Sequence, residues 1–168
     1  MIRYVEGDVL STDARVIVHG CNARGAFGAG VAGAILRRYP ESADAYHAAH
    51  KRGPLKLGAV IPSQTRDGKI ILHAITQDRY GRPVPGVRFV DYDAVETSMK
   101  RVAQMARDGV PDYMGSTFTR IAMPAIGAGL GGGDWNEVCR RVEAALPGID
   151  VDVYYLGSPP AGITLARI

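Results

Sequence analysis

Cysteine is scarce in this chain: Cys21 and Cys139 are the only two among 168 residues. That count excludes a disulfide framework and makes a reducing, intracellular compartment the default. Long apolar runs are missing as well. No stretch reaches the length of a membrane span, and the first residues lack the apolar core of a secretory signal. A cytoplasmic protein without membrane contact is expected. Charge of one sign is nowhere concentrated. Twenty Lys and Arg against 17 Asp and Glu leave a net charge of +3, with no basic run of the kind that tracks a nucleic-acid backbone. A small polyanionic ligand suits that bias as well as DNA does. A metal-ligand set at recognisable spacing is also wanting. His47 and His50 stand three apart on a helical segment, without a third ligand nearby, and read as part of an exposed polar face. No metal and no cofactor are expected.

Glycine, by contrast, is plentiful, with 21 residues gathered mainly into two loops. Apolar residues make up 46% and charged residues 22%, the proportions of a globule long enough for one domain with its own core. The first loop follows Arg15 to His19, an apolar, β-branched strand. It carries Asn22, Gly25, Gly28 and Gly30, and leads into a helix marked by Val31, Ala34, Ile35 and Arg38. Glycines let backbone N–H groups turn outward and a ligand approach without meeting a Cβ. A helix N-terminus adds partial positive charge. Strand, glycine loop and helix start together make an anion site, most often for phosphate; a plain tight turn is the alternative reading of the stretch alone. No Gly-Lys-Ser/Thr follows, so it is not a P-loop. The second loop repeats the device: Ile121 to Pro124 feeds Gly127, Gly129, Gly131, Gly132 and Gly133, which open a helix. Two such loops at one sheet edge can hold a diphosphate between them.

The remaining chain alternates strands and helices. Strands are expected at Ile2–Glu6, Gly58–Ser63, Lys69–Ile75, Phe118–Met123 and Val151–Leu156, with Asp67-Gly68 as a hairpin turn. Helices are expected from Glu41 to Lys51 behind Pro40, from Asp91 to Arg107, and from Trp135 to Leu146. The last is expected to start on an Asp134-x-x-Glu137 capping box and to stop at Pro147-Gly148. Trp135 and Cys139 read as packing residues. The polar segment from Thr76 to Pro83 is a candidate lid, with disorder as the equal reading. Such alternation predicts an α/β domain with helices on both faces of a central sheet and ligands at the strands' carboxyl ends.

Four stretches together resemble one family: Tyr4-Val-Glu-Gly-Asp-Val-Leu10, His19-Gly-Cys-Asn22, Gly28-Ala-Gly-Val-Ala32 and Pro124-Ala-Ile-Gly-Ala-Gly-Leu-Gly-Gly-Gly-Asp-Trp135. They are similar, in order, to the macro domains, which bind ADP-ribose. The resemblance implies a three-layer α/β/α fold with a central mixed sheet. It implies a single macro domain over residues 1–157, a C-terminal tail over 158–168, and a monomer. In it, Asp8 accepts from the adenine amine, beside the backbone of Val9. Gly28, Ala29, Gly30 and Val31 hold the diphosphate. Gly127, Ala128, Gly129 and Leu130 wrap it from the other side, with Pro124 and Ile126 in the same wall, and Asn22 lies near the distal ribose.

Three branches of the family bear on the chemistry. The ADP-ribosyl-glutamate hydrolases place a Lys after the strand-end Thr; here Gln77 follows Thr76, and an amide forms no Schiff base. They also place an Asp where this chain has Gly131. The DNA-ADP-ribose hydrolase antitoxins share the Gly-Gly-x-Asp-Trp ending at Gly131 to Trp135, but they also use the Lys. The ADP-ribose 1″-phosphate phosphatases lack both groups. They resemble this chain from His19 to Gly30 and again at Arg38-Tyr-Pro40. The expectation is therefore a hydrolase that removes phosphate from ADP-ribose 1″-phosphate. His19 would be nucleophile or general base, Asn22 would orient the distal ribose, and Asp78 would be an acid near the cleft. A hydrogen-bonded core position for His19 and a solvated loop charge for Asp78 are the competing readings. A non-catalytic ADP-ribose module is the alternative function, as is de-ADP-ribosylation of modified protein or nucleic acid.

Overall fold

A computed structural model describes residues 1–113 and 116–163. Six strands form one sheet: β1 (Ile2–Glu6), β2 (Val16–Asn22), β3 (Val60–Gln64), β4 (Ile70–Gln77), β5 (Arg120–Pro124) and β6 (Asp150–Tyr155). Their spatial order is β1-β6-β5-β2-β4-β3. Only β3 runs antiparallel, against β4, so the sheet is mixed. The hairpin between them turns at Gly68, whose φ of 88° lies in the left-handed region that favours glycine.

Strand alternation sorts the buried residues into two layers. Val16 and Val18 of β2, and Ile70, Leu72 and Ala74 of β4, face α3 (Tyr92–Asp108) and α4 (Trp135–Ala145). Ile17 and Cys21, with Ile71 and Ile75, face α1 (Gly30–Arg38) and α2 (Pro40–Lys51). Helices thus cover both faces, giving the three-layer α/β/α fold. Helix α3 starts where Asp91 accepts from the Ala94 N–H at 2.9 Å and ends at Gly109, with φ 96°. Its Val95, Met99, Val102 and Ala106 recur at helical spacing and are buried. Fully burying a Val or Met contributes about 1.5–3 kcal/mol, so this stripe fixes the helix to the sheet. Among the described residues no helix is long and apolar enough to cross a membrane.

Several expected boundaries differ in the structure. Strand β2 runs on to Asn22 and β4 to Gln77, because the two pair in parallel through Asn22↔Gln77. Only half of the expected capping box forms on α4. Asp134 accepts from the Asn136 N–H at 2.9 Å, but Glu137 turns to Arg140 and Arg141 at 2.6 and 2.9 Å. The N–H that Glu137 would have satisfied donates instead to the Tyr92 hydroxyl. Residues 164–168 of the expected tail lie outside the described residues.

Candidate active site

Strands β2 and β5 are neighbours and parallel, so their loops leave the same edge side by side. The chain returns from β2 through α1 and α2 toward β3 and β4, and from β5 through α4 toward β6. The connections part in opposite directions there, which is where open α/β sheets bind ligands. A cavity of about 570 Å³ lies at this point, within the range of small-molecule sites.

One wall is the first glycine loop. Gly28, Ala29, Gly30, Val31 and Ala32 line the cavity. Ala29 is the N-cap of α1 and offers no side-chain hydrogen bond, so the first N–H groups of the helix have neither a helical acceptor nor a cap. Helix and loop are held tightly together. A Cβ on Gly33 would stand 2.8 Å from the Gly28 carbonyl oxygen. On Gly28 it would meet nothing within 4 Å, since that residue borders open space.

The opposite wall is the second loop, with Pro124, Ile126, Gly127, Gly129, Leu130 and Gly131 in the lining. A Cβ on Gly30 would lie 3.8 Å from Leu130 Cδ1, so the two loops face each other across the cavity. They differ in kind, however. Asp134 occupies the N-terminus of α4, so the second loop presents turn N–H groups rather than a helix start. Gly131 is required by close backbone approach, because a Cβ there would sit 2.8 Å from the Gly127 carbonyl oxygen and 2.9 Å from its Cα. The segment after β4 borders the cavity through Tyr80 and Gly81. It returns to the second loop where the N–H groups of Phe89 and Val90 both donate to the Gly131 carbonyl.

Asn22 sits at the base of the first loop and organises it. A bulge between Cys21 and Asn22 breaks the β2–β4 register and re-aims the strand end. The Asn22 carbonyl oxygen Oδ1 accepts from the N–H groups of Arg24 and Ala26 and from the Tyr46 hydroxyl, while Nδ2 donates to the Ala26 carbonyl at 2.8 Å. Tyr46 also donates to the Asn22 main-chain carbonyl at 2.6 Å and accepts from the Gly25 N–H. Burial pushes its phenol pKa up, which keeps it a donor.

His19 lies in the cavity wall but is only 1% exposed. Its Nε2 is 2.6 Å from Nδ1 of His73, the residue directly across the β2–β4 pair. The Nε2 of His73 in turn meets the hydroxyls of Ser42 and Ser63. Phe27 packs edge-on against both rings, at centroid separations of 5.5 and 5.4 Å. Burial, reinforced by His73, holds the His19 pKa well below its ordinary value, and burial brings His73 down to about 3. Both imidazoles are therefore neutral near pH 7 and carry a lone pair each.

Of the other anticipated residues, Asp8, Val9, Ala128 and Asp78 lie outside the cavity lining. Asp8 is exposed and caps the short 3-10 turn Val9–Ser11 through the Leu10 N–H at 2.9 Å. It follows β1 and so shares the carboxyl edge of the parallel strands. Asp78 forms a two-pronged pair with Arg24 at 3.1 and 3.0 Å, and that hydrogen-bonded guanidinium holds its carboxyl below the usual range. A carboxylate so held is a poor proton donor, which argues against the acid role and for a surface ion pair. Sequence reasoning missed His73, Ser42 and Ser63. The only available signal was a histidine inside the apolar β4 run, on the same alternation as Ile71 and Ile75.

A Macro domain family model matches residues 18–142. The chain is 31% identical over 168 residues to a DNA ADP-ribosyl glycohydrolase of Mycobacterium tuberculosis, covering 96% of this chain but 43% of that protein. It therefore spans less than half the length of that relative. It is 27% identical over 175 residues to an ADP-ribose 1″-phosphate phosphatase of Saccharomyces cerevisiae, covering 92% of this chain and 98% of the yeast protein. Among solved structures, the macrodomain of Mycobacterium tuberculosis DarG superposes with a TM-score of 0.73 at 30% identity, over 92% of this chain and 97% of the other. With its mixed six-stranded sheet between helical layers and its paired glycine loops, the chain belongs to the macro domain family.

Proposed function

We propose that this protein binds ADP-ribose and hydrolyses ADP-ribose 1″-phosphate, releasing inorganic phosphate. The observation that carries the reading is the pair of facing backbone loops, one ending on an uncapped helix N-terminus, beside a neutral imidazole. The loops suit a diphosphate because main-chain N–H groups and the α1 dipole stabilise negative charge without a cationic side chain. The Asn22-organised loop would set the distal ribose close to His19. A water held by a hydrogen bond to the His19 lone pair attacks phosphorus; the bond from phosphorus to the C1″ oxygen breaks, and the proton shed by the water passes through solvent to that oxygen.

A second reading, removal of ADP-ribose from DNA, draws on the mycobacterial relative. Gln77 speaks against it, since that residue stands where the resembled enzymes carry their lysine. Gly131, where the glutamate-specific branch carries Asp, has no room for a Cβ.

A substrate panel tests the proposal. The protein is incubated with ADP-ribose 1″-phosphate, ADP-ribosylated single-stranded DNA and ADP-ribosylated protein, with phosphate and free ADP-ribose both measured. Phosphate release from the first, lost in His19→Ala with ADP-ribose binding retained by calorimetry, supports it. Release of ADP-ribose from DNA establishes the second reading instead. Binding without turnover on any substrate leaves a non-catalytic module and overturns both.

A further inference from the structure

Beneath the floor of the cavity three side chains with metal-ligating atoms converge: His19, Cys21 and His73, all buried, with those atoms within 4.8 Å of one another. We propose that they form a zinc site with its fourth position open to the cavity. The geometry points there in three ways. First, the donors come from adjacent strands on one face: His19 and Cys21 are two apart on β2, and His73 lies opposite His19 on β4. Two nitrogens and a sulfur suit a borderline-soft ion. Second, the His19–Cys21 spacing is near what zinc requires, and no donor atom lies more than 4.8 Å from another. With Zn–N of about 2.05 Å and Zn–S of about 2.3 Å, tetrahedral ligands stand roughly 3.5 Å apart for N···S and roughly 3.3 Å for N···N. Cys21 Sγ is 3.5 Å from His19 Nε2, while the two imidazole nitrogens are 2.6 Å apart. The rings need to part by about 0.7 Å, a small rotation of either. Third, the supporting contacts are those a ligating histidine uses. The far nitrogen of His73 meets the Ser42 and Ser63 hydroxyls, and Ser63 passes its own hydrogen bond on to the Ile71 carbonyl. That arrangement fixes the ring with Nδ1 toward the site.

Three protein ligands plus one open position is the pattern of a catalytic rather than a structural zinc. Both His19 and Cys21 belong to the cavity wall, so a water or a ligand oxygen completes the set. A His19 that held zinc would have no free lone pair to offer the attacking water, and the metal would supply Lewis-acid activation there instead. This consequence rests on the proposed reaction; the existence of the site does not.

Tag-free protein is equilibrated with zinc, desalted, and its metal content measured by mass spectrometry. In parallel, cobalt(II) is titrated in as a spectroscopic probe. The expected result is one metal per chain and a thiolate-to-cobalt charge-transfer band. Cys21→Ser, nearly isosteric, should lose the band and bind zinc at least tenfold more weakly. His73→Ala should lose the metal altogether, and His47→Ala/His50→Ala should keep both metal and band. No bound metal, no charge-transfer band, or a band that survives Cys21→Ser or vanishes in His47→Ala/His50→Ala overturns the site and leaves a hydrogen-bonded pair. Phosphate release with and without chelator is scored separately and reports on the reaction alone.

Discussion

The buried imidazole pair makes the fold acid-sensitive from about pH 6.5 downward, starting above the range in which ordinary carboxylates titrate. Both rings are shielded from solvent, and burial lowers both pKa values, His73 from 6.5 to about 3 and His19 in the same direction. The unfolded chain binds a proton on each ring below about pH 6.5, whereas the folded chain does not. Stability therefore rises with pH across the interval: it is complete above about 6.5 and is lost as pH falls toward 3. Each ring contributes about 1.4 kcal/mol per pH unit. From pH 6.5 to pH 5 His73 alone removes about 1.7 kcal/mol, and His19 adds to that in the same direction, against the 5–15 kcal/mol of an average domain. Urea unfolding at pH 7, 6 and 5, in the presence of chelator, measures it. Trp135, the single tryptophan and 2% exposed, reports the transition. The double variant His19→Gln/His73→Gln should show a much flatter dependence whatever its absolute stability. Wild-type unfolding free energies at pH 7 and 5 that agree within about 1 kcal/mol would refute the reasoning.

Three further outcomes are expected. Gly33→Ala should push the Gly28 carbonyl aside, since both partners in that 2.8 Å approach are main chain; calorimetry should show ADP-ribose affinity reduced about tenfold or more with the helix intact by circular dichroism. Tyr46→Phe removes the donor to the Asn22 carbonyl and leaves the Gly25 N–H unmatched. A stability loss of about 1–2 kcal/mol by urea unfolding should accompany weaker ligand binding. Asp78→Asn breaks only an exposed pair with Arg24; turnover and melting temperature should stay at wild-type values, and a collapse of turnover would restore Asp78 as an acid.

The residues differ in how far the sequence alone discloses them. Both glycine loops are legible, because a strand, a cluster of glycines and a helical period follow one another within a few residues. Their adjacency also follows from the α/β order, since loops after parallel strands share an edge. The His19–His73 contact is different: it depends on β2 and β4 pairing in one register across 54 positions, which no local pattern encodes. Glu137 shows the limit in miniature. Its spacing from Asp134 matches a capping box, yet Arg140 and Arg141, three and four residues on, compete for the same carboxylate and take it. Asp78 shows it again, because an acid beside a strand end looks the same on paper whether it meets a substrate or Arg24.

The two walls of the cleft are glycine-rich, with alanine, valine, leucine, isoleucine, proline and phenylalanine side chains around them. Main chain thus dominates both walls, while His19, Cys21 and His73 hang from β2 and β4 beneath them. A substitution on those strands can change what they offer without disturbing the main-chain walls above.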